Sequence, residues 1–219
     1  MIEEIIDYTN RHHVKLIAVS KTKPVEQIKD IYDLGLRAFG ENKVQELIEK
    51  ENVLPKNIEW HMIGHLQKNK VKYIASFIHL IHSVDSLDLL VEINKYAMKN
   101  NRIIDCLLQF YIANENTKFG LSVEEAKALL ESDIYLKLSN VRIVGVMGMA
   151  TFTDNFQQVR HEFKNLKSIF NHLKQHYFMK NPEFKEISMG MSDDYIIAIE
   201  EGSTMVRIGS LLFGKRNNL

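Results

Sequence analysis

The stretch "LIAVSKTKP", residues 16–24, ends an apolar run on Lys21, with Thr22, Lys23 and Pro24 directly after it. A lysine there is either the solvated cap of a buried strand or an amine held in a cleft. In a cleft, desolvation and a second cation such as Lys23 keep part of the amine neutral and able to attack a carbonyl. A second constellation is "GSTMVRIGSLLFG", in which Arg207 interrupts an apolar strand and Gly209 and Ser210 follow. Glycine lets backbone N–H groups close around a phosphate. The arginine needs a partner inside a strand, which an ion pair or a ligand would supply. In "EISMGMSDD", Ser188, Gly190 and Ser192 stand at a strand-to-helix turn, and Ser192 is placed to cap a helix starting near Asp193. His61 and His65 have a spacing that shares a face only on a helix, yet "WHMIGH" reads as a strand. His172 and His176 do have helical spacing, but on a lysine-rich, solvated segment, so no metal site is expected from either pair.

The elements that must position these residues alternate along the chain. Strand candidates are "VKLIAVS", "LRAFGE", "IEWHMIGH", "IHLIHSV", "DCLLQFYI", "VRIVGVMGM", "KEISMGM" and "MVRIGSLLFG". Helical patterns lie between them, the clearest at Leu87 to Met98, Val123 to Leu138 and Asn155 to Tyr177. Ser122 with Glu125 forms a capping-box signature after "KFGL". Strands apolar on both faces and separated by helices predict a parallel sheet. Eight such units predict an α/β fold of the (β/α)₈ TIM-barrel type, with "MIEEIIDYTNRHH" as an extra N-terminal helix. A doubly wound open sheet is the alternative architecture. In a barrel, Lys21, Glu41, Asn42, His61, His65, Asp85, Lys118, Ser188, Ser192, Arg207, Gly209 and Ser210 would share the rim where strands end.

Lysine plus arginine equals aspartate plus glutamate, 28 each in 219 residues, so no basic field exists to draw nucleic acid or anionic lipid. Three prolines and no low-complexity stretch leave no linker, and a single domain over residues 1–219 is expected. The one cysteine, Cys106, cannot form an internal disulfide, which fits a reducing compartment. The N-terminus carries acids where a signal peptide carries bases, and no apolar run reaches membrane-spanning length. A cytoplasmic protein without a membrane partner is expected. No G-x-G-x-x-G or G-x-x-x-x-G-K-[ST] motif follows any strand, which counts against dinucleotide and P-loop binding.

The motifs "AVSKTKP", "FGENKVQE", "WHMIGHLQKNKVK", "SVDS", "NTKFG", "SMGMSDD" and "GSTMVRIGSLLFGKR", in this order from near residue 14 to residue 216, resemble the pyridoxal-phosphate homeostasis protein family. The resemblance implies a barrel similar to the N-terminal domain of alanine racemase, the fold-type III arrangement, binding pyridoxal 5′-phosphate (PLP), the vitamin B6 cofactor. It implies a Schiff base on Lys21, Arg207 facing the pyridine nitrogen, and Gly209 and Ser210 on the phosphate. Ser188 and Ser192 belong to a motif on the phosphate side, and Asn42, His61 and Lys118 are carried over as neighbours of the site.

Catalysis with this cofactor gains most when a carboxylate protonates the pyridine nitrogen. Arginine only donates hydrogen bonds and leaves the ring a weaker electron sink. Racemases of this fold compensate with a tyrosine from another subunit's second domain, and this chain ends at Leu219 soon after its last strand. The expected function is therefore PLP homeostasis (buffering, carrying or delivering the cofactor, with PLP-dependent apo-enzymes as recipients) by a monomer that is not a dedicated enzyme. A small PLP-dependent racemase or lyase is the alternative, with Tyr73 or Tyr111 as its acid.

Overall fold

The apolar runs pair side by side and close on themselves. In the computed structural model, which describes residues 2–113 and 119–214, the strands are β1 (Lys15–Val19), β2 (Ala38–Glu41), β3 (Glu59–Met62) and β4 (Leu80–Val84). They continue as β5 (Ile104–Tyr111), β6 (Val141–Met149), β7 (Glu186–Ser188) and β8 (Met205–Ile208). All pair in parallel in sequence order, and β8 returns to β1 with Ile17 opposite Arg207, closing the barrel. The first helix, α1 (Ile2–Arg11), precedes β1. The barrel is wrapped by α2 (Val25–Asp33), α3 (Val44–Val53), α4 (Val71–Ile74), α5 (Leu87–Lys99), α6 (Val123–Leu130), α7 (Phe156–His176) and α8 (Tyr195–Glu200), and α9 (Ser210–Phe213) follows β8. This is the (β/α)₈ barrel that the alternation predicts.

Strand alternation divides the side chains into two cores. Ala18, Phe39, Trp60, Met62, Phe110 and Val206 point outward into the main core shared with the helices. Leu80, Leu107, Val144, Met147 and Met205 form a separate cluster in the barrel lumen. The lumen also holds the buried polar residues His61, His82, Ser188 and Arg207, which apolar patterning alone would not place there. The capping box forms as expected: Ser122 Oγ accepts from Glu125 N at 3.1 Å and the Glu125 carboxylate accepts from Ser122 N at 2.8 Å. The helix it starts is shorter than the pattern suggests, ending at Leu130 rather than Leu138. Ser132 Oγ donates to Leu129 O and accepts from Tyr135 N, a local alternative to the helical ladder, and only a 3₁₀ turn remains at Tyr135–Lys137. No helix among the described residues is long and apolar enough to cross a membrane.

Candidate functional site

The strand ends of the barrel open onto a cavity of about 330 Å³, the size range of small-ligand sites. Lys21, Asn42, Ser192, Arg207, Gly209 and Ser210 line it, with Met149 and Phe152 on its apolar side. These six come from the loops or strands of β1, β2, β7 and β8, so the site straddles the seam where the barrel closes.

Lys21 is half-buried and sits between two anchored residues. Before it, Ser20 Oγ donates to Glu41 Oε1 at 2.6 Å, and Lys50 Nζ donates to Ser20 O at 2.7 Å. After it, Thr22 N donates to Glu46 Oε1. Thr22 has φ +63°, unusual for a β-branched residue, and Lys23 N closes the turn onto Ser20 O. Lys50 also donates to Glu41 Oε1 at 2.7 Å and Glu46 Oε1 at 2.6 Å, so one buried ammonium ties both flanks of Lys21 to α3. Burial pushes the Glu41 carboxyl up from its ordinary value, against the pull of Lys50. Lys23, on the same cavity, donates to the carbonyls of Phe213 and Gly214 at 2.9 and 3.2 Å, fastening the β1 turn to the end of α9.

Arg207 is buried, and its guanidinium donates to Ser188 Oγ at 2.6 Å and Gly148 O at 3.1 Å while its edge lines the cavity. Burial pushes it down to about 10, with Asp194 opposing, so it remains a cation at neutral pH. Beneath it Ser188 meets His82 Nδ1 at 2.9 Å, and His82 Nε2 meets His61 Nδ1 at 2.8 Å. Burial holds both imidazoles well below the ordinary histidine range, so they are neutral. Ser188 and His61 thus lie in the lumen under Arg207 and outside the cavity lining.

Ser192 lines the cavity but does not cap a helix. Its Oγ accepts the Gly209 N–H at 3.3 Å, whereas Asp194 takes the Met191 N–H and α8 starts at Tyr195. Gly190 sets this turn with φ +96°, and a Cβ there would lie 2.5 Å from Ala198 Cβ. At Gly209 an added Cβ would come within 3.3 Å of Val19 O, where β1 and β8 meet under the cavity. Asn42 offers a buried Oδ1 on the cavity wall with no hydrogen-bond partner among the described residues. Its backbone is pressed by Gly64, where a Cβ would stand 2.5 Å from Asn42 O. His65 and Asp85 pair at 3.5 Å outside this cavity, and Lys118 lies outside the described residues. No tyrosine among the described residues lines the cavity: Tyr73 is exposed on α4 and Tyr111 faces another groove.

Sequence reading missed Lys50 and Glu46. Their i, i+4 spacing in "ENKVQELIEK" is visible, but it reads as an ordinary surface pair.

A closed parallel barrel with a lysine after its first strand and an arginine on its eighth, both on one cavity, defines the class built on the alanine racemase N-terminal domain, and residues 2–217 match that family. The barrel superposes on alanine racemase of Clostridium difficile with TM-score 0.74 at 15% identity, over 99% of this chain and 56% of that one, a likeness of fold. The pyridoxal phosphate homeostasis protein of Aquifex aeolicus is 44% identical over 203 residues, 92% of this chain and 87% of the relative. PipY of Synechococcus elongatus, solved with PLP bound, is 32% identical with TM-score 0.83, over 98% of this chain and 100% of that one. The chain belongs to the pyridoxal phosphate homeostasis protein family.

Proposed function

We propose that the protein holds pyridoxal 5′-phosphate in this cavity and serves intracellular PLP homeostasis by buffering and delivering the cofactor. The observation that carries the reading is the placement of Lys21 and Arg207 on one cavity with Ser192, Gly209 and Ser210. These residues fit the cofactor. Asn42 Oδ1, without a hydrogen-bond partner among the described residues, leaves a polar demand on the wall. Ser192, Gly209 and Ser210 bring two hydroxyls and a glycine backbone together on the cavity, where a phosphate would be held. When bound, PLP supplies an electrophilic aldehyde and an electron-withdrawing ring.

In this reading Lys21 is the residue that would hold the aldehyde, as a Schiff base formed with loss of one water, and the anchored Ser20 and Thr22 fix where its amine stands. Arg207, on the cavity wall, would face the pyridine nitrogen as a donor. Being a cation even with its pKa pushed down to about 10, it opposes protonation of that nitrogen and so weakens the ring as an electron sink. Asp193, the carboxylate on the cavity wall among the described residues, is exposed at the rim. Such a site retains the cofactor without strong activation, which suits a carrier better than a racemase or lyase. We extend the reading to a cytoplasmic monomer whose recipients are PLP-dependent apo-enzymes.

The test is an assay of the PLP-loaded protein against a panel of L- and D-amino acids by chiral chromatography. Turnover far below one per second supports the carrier. Turnover at ordinary enzyme rates, about one per second or faster, overturns it in favour of the racemase or lyase.

A further inference from the structure

The opposite mouth of the barrel holds a second cluster, at the N-terminal ends of β1, β3 and β4. Glu59 and His61 stand two apart on β3 and share its lumen face, and His79 immediately precedes β4. One ligand atom from each of Glu59, His61 and His79 lies within 4.8 Å of the others, and Glu59 Oε2 is already 3.7 Å from His79 Nε2. His61 is fully buried, its Nδ1 is engaged by His82 Nε2 at 2.8 Å, and its Nε2 has no hydrogen-bond partner among the described residues. The backbone holds the arrangement: His79 N donates to Trp60 O at 2.9 Å, and Glu59 N donates to Arg37 O at 2.8 Å.

From this geometry we infer a divalent transition-metal site formed by Glu59, His61 Nε2 and His79 Nε2 at the barrel mouth remote from the cofactor cavity. Ligand atoms on a tetrahedral zinc stand about 3.4 Å apart, so the cluster closes with side-chain movements of about an ångström. Two imidazoles and one carboxylate select zinc, cobalt, nickel or copper over magnesium or calcium. The half-exposed Glu59 and His79 leave a coordination position for water. His82 acts as the outer partner, accepting the His61 Nδ1 proton and thereby leaving His61 Nε2 as the lone-pair donor to the metal. Lys15 Nζ, 3.0 Å from Glu59 Oε2, competes for the carboxylate and must swing away into solvent. The site shares no residue with the cavity lining, so its failure would leave the cofactor reading untouched.

Isothermal titration of the full-length, PLP-loaded protein with ZnCl₂, repeated with CoCl₂ and MgCl₂, tests it in four forms. These are the unmodified chain, His79→Gln, Lys15→Met and His172→Gln. His172 and His176, an exposed pair on α7 with ring centroids 4.2 Å apart, are the natural competitor for adventitious metal. The site predicts one zinc per chain, weakened at least about tenfold by His79→Gln, tightened by Lys15→Met and unchanged by His172→Gln, with no magnesium binding. His79 is half-exposed, so its variant folds, and circular dichroism checks this. Absence of zinc binding, or zinc binding that survives His79→Gln, overturns the inference.

Discussion

Lys50→Met tests whether a residue with no contact to the cavity positions Lys21. The Lys50 side chain is 6% exposed and the Glu41 side chain 0%, and the ammonium donates to Ser20 O, Glu41 Oε1 and Glu46 Oε1. Methionine keeps the volume but strands a buried carboxylate whose Oε2 already has no hydrogen-bond partner among the described residues. Breaking one half of a buried pair costs about 3–5 kcal/mol, a large part of a typical 5–15 kcal/mol total. The cost depends on pH in a definite sense. Burial already raises the Glu41 carboxyl above its ordinary 4.5, and losing Lys50 raises it further. A folded-state value above the unfolded one means that the folded chain binds more protons in that window. Stability therefore falls as pH rises through the window, by up to about 1.4 kcal/mol per pH unit. The deficit of Lys50→Met is accordingly smaller near pH 5 than at pH 8. Urea unfolding followed by the fluorescence of Trp60, the only tryptophan and a buried one, measures it. The double variant with Glu41→Gln recovers part of the loss. Ser20 O loses its donor, and the Glu41 and Glu46 carboxylates that receive Ser20 Oγ and Thr22 N lose the ammonium that holds them. PLP affinity therefore falls as well, read as the visible absorbance of the bound cofactor. A deficit below about 1 kcal/mol at pH 8, as for a surface pair, or an unchanged affinity in the folded variant, would refute the positioning role.

Pyridoxal, which lacks the phosphate, should bind far more weakly than PLP, because Ser192, Gly209 and Ser210 then have no anion to hold; equal affinities by absorbance titration would contradict their assignment. Gly64→Ala places a Cβ 2.5 Å from Asn42 O, a backbone atom that cannot step aside. It should cost about 1–3 kcal/mol in urea unfolding and weaken cofactor binding through Asn42.

The strands were legible because each buried run is bounded by turn residues, and Lys21, Arg207 and Gly209 were legible because they break those runs. Ser192 was legible as a turn residue, but its partner was not. Whether its hydroxyl caps α8 or receives the Gly209 N–H depends on how far the chain turns at Gly190, a backbone angle that letters do not display. The short α6 was hidden for a similar reason, since Ser132 competes with the helix through hydrogen bonds that periodicity ignores. His61, Ser188 and His82 looked like rim or core residues taken singly. Only barrel closure stacks them in one lumen beneath Arg207, joining residues as far apart as His82 and Ser188. Lys50 was the hardest to see, because a lysine on a helix is solvated in most proteins and is buried here only because Glu41 ends the neighbouring strand facing it.

The central claim is the covalent hold of the cofactor at Lys21, and reduction of the PLP-loaded protein with borohydride followed by peptide mass spectrometry tests it most directly. The account predicts one pyridoxyl group per chain on the peptide containing Lys21, and its absence from Lys21→Ala, whose urea-unfolding midpoint should stay near that of the unmodified chain because a half-buried rim lysine adds little to the core. A label found on Lys23 or Lys118 instead, or one that persists in Lys21→Ala, would contradict it.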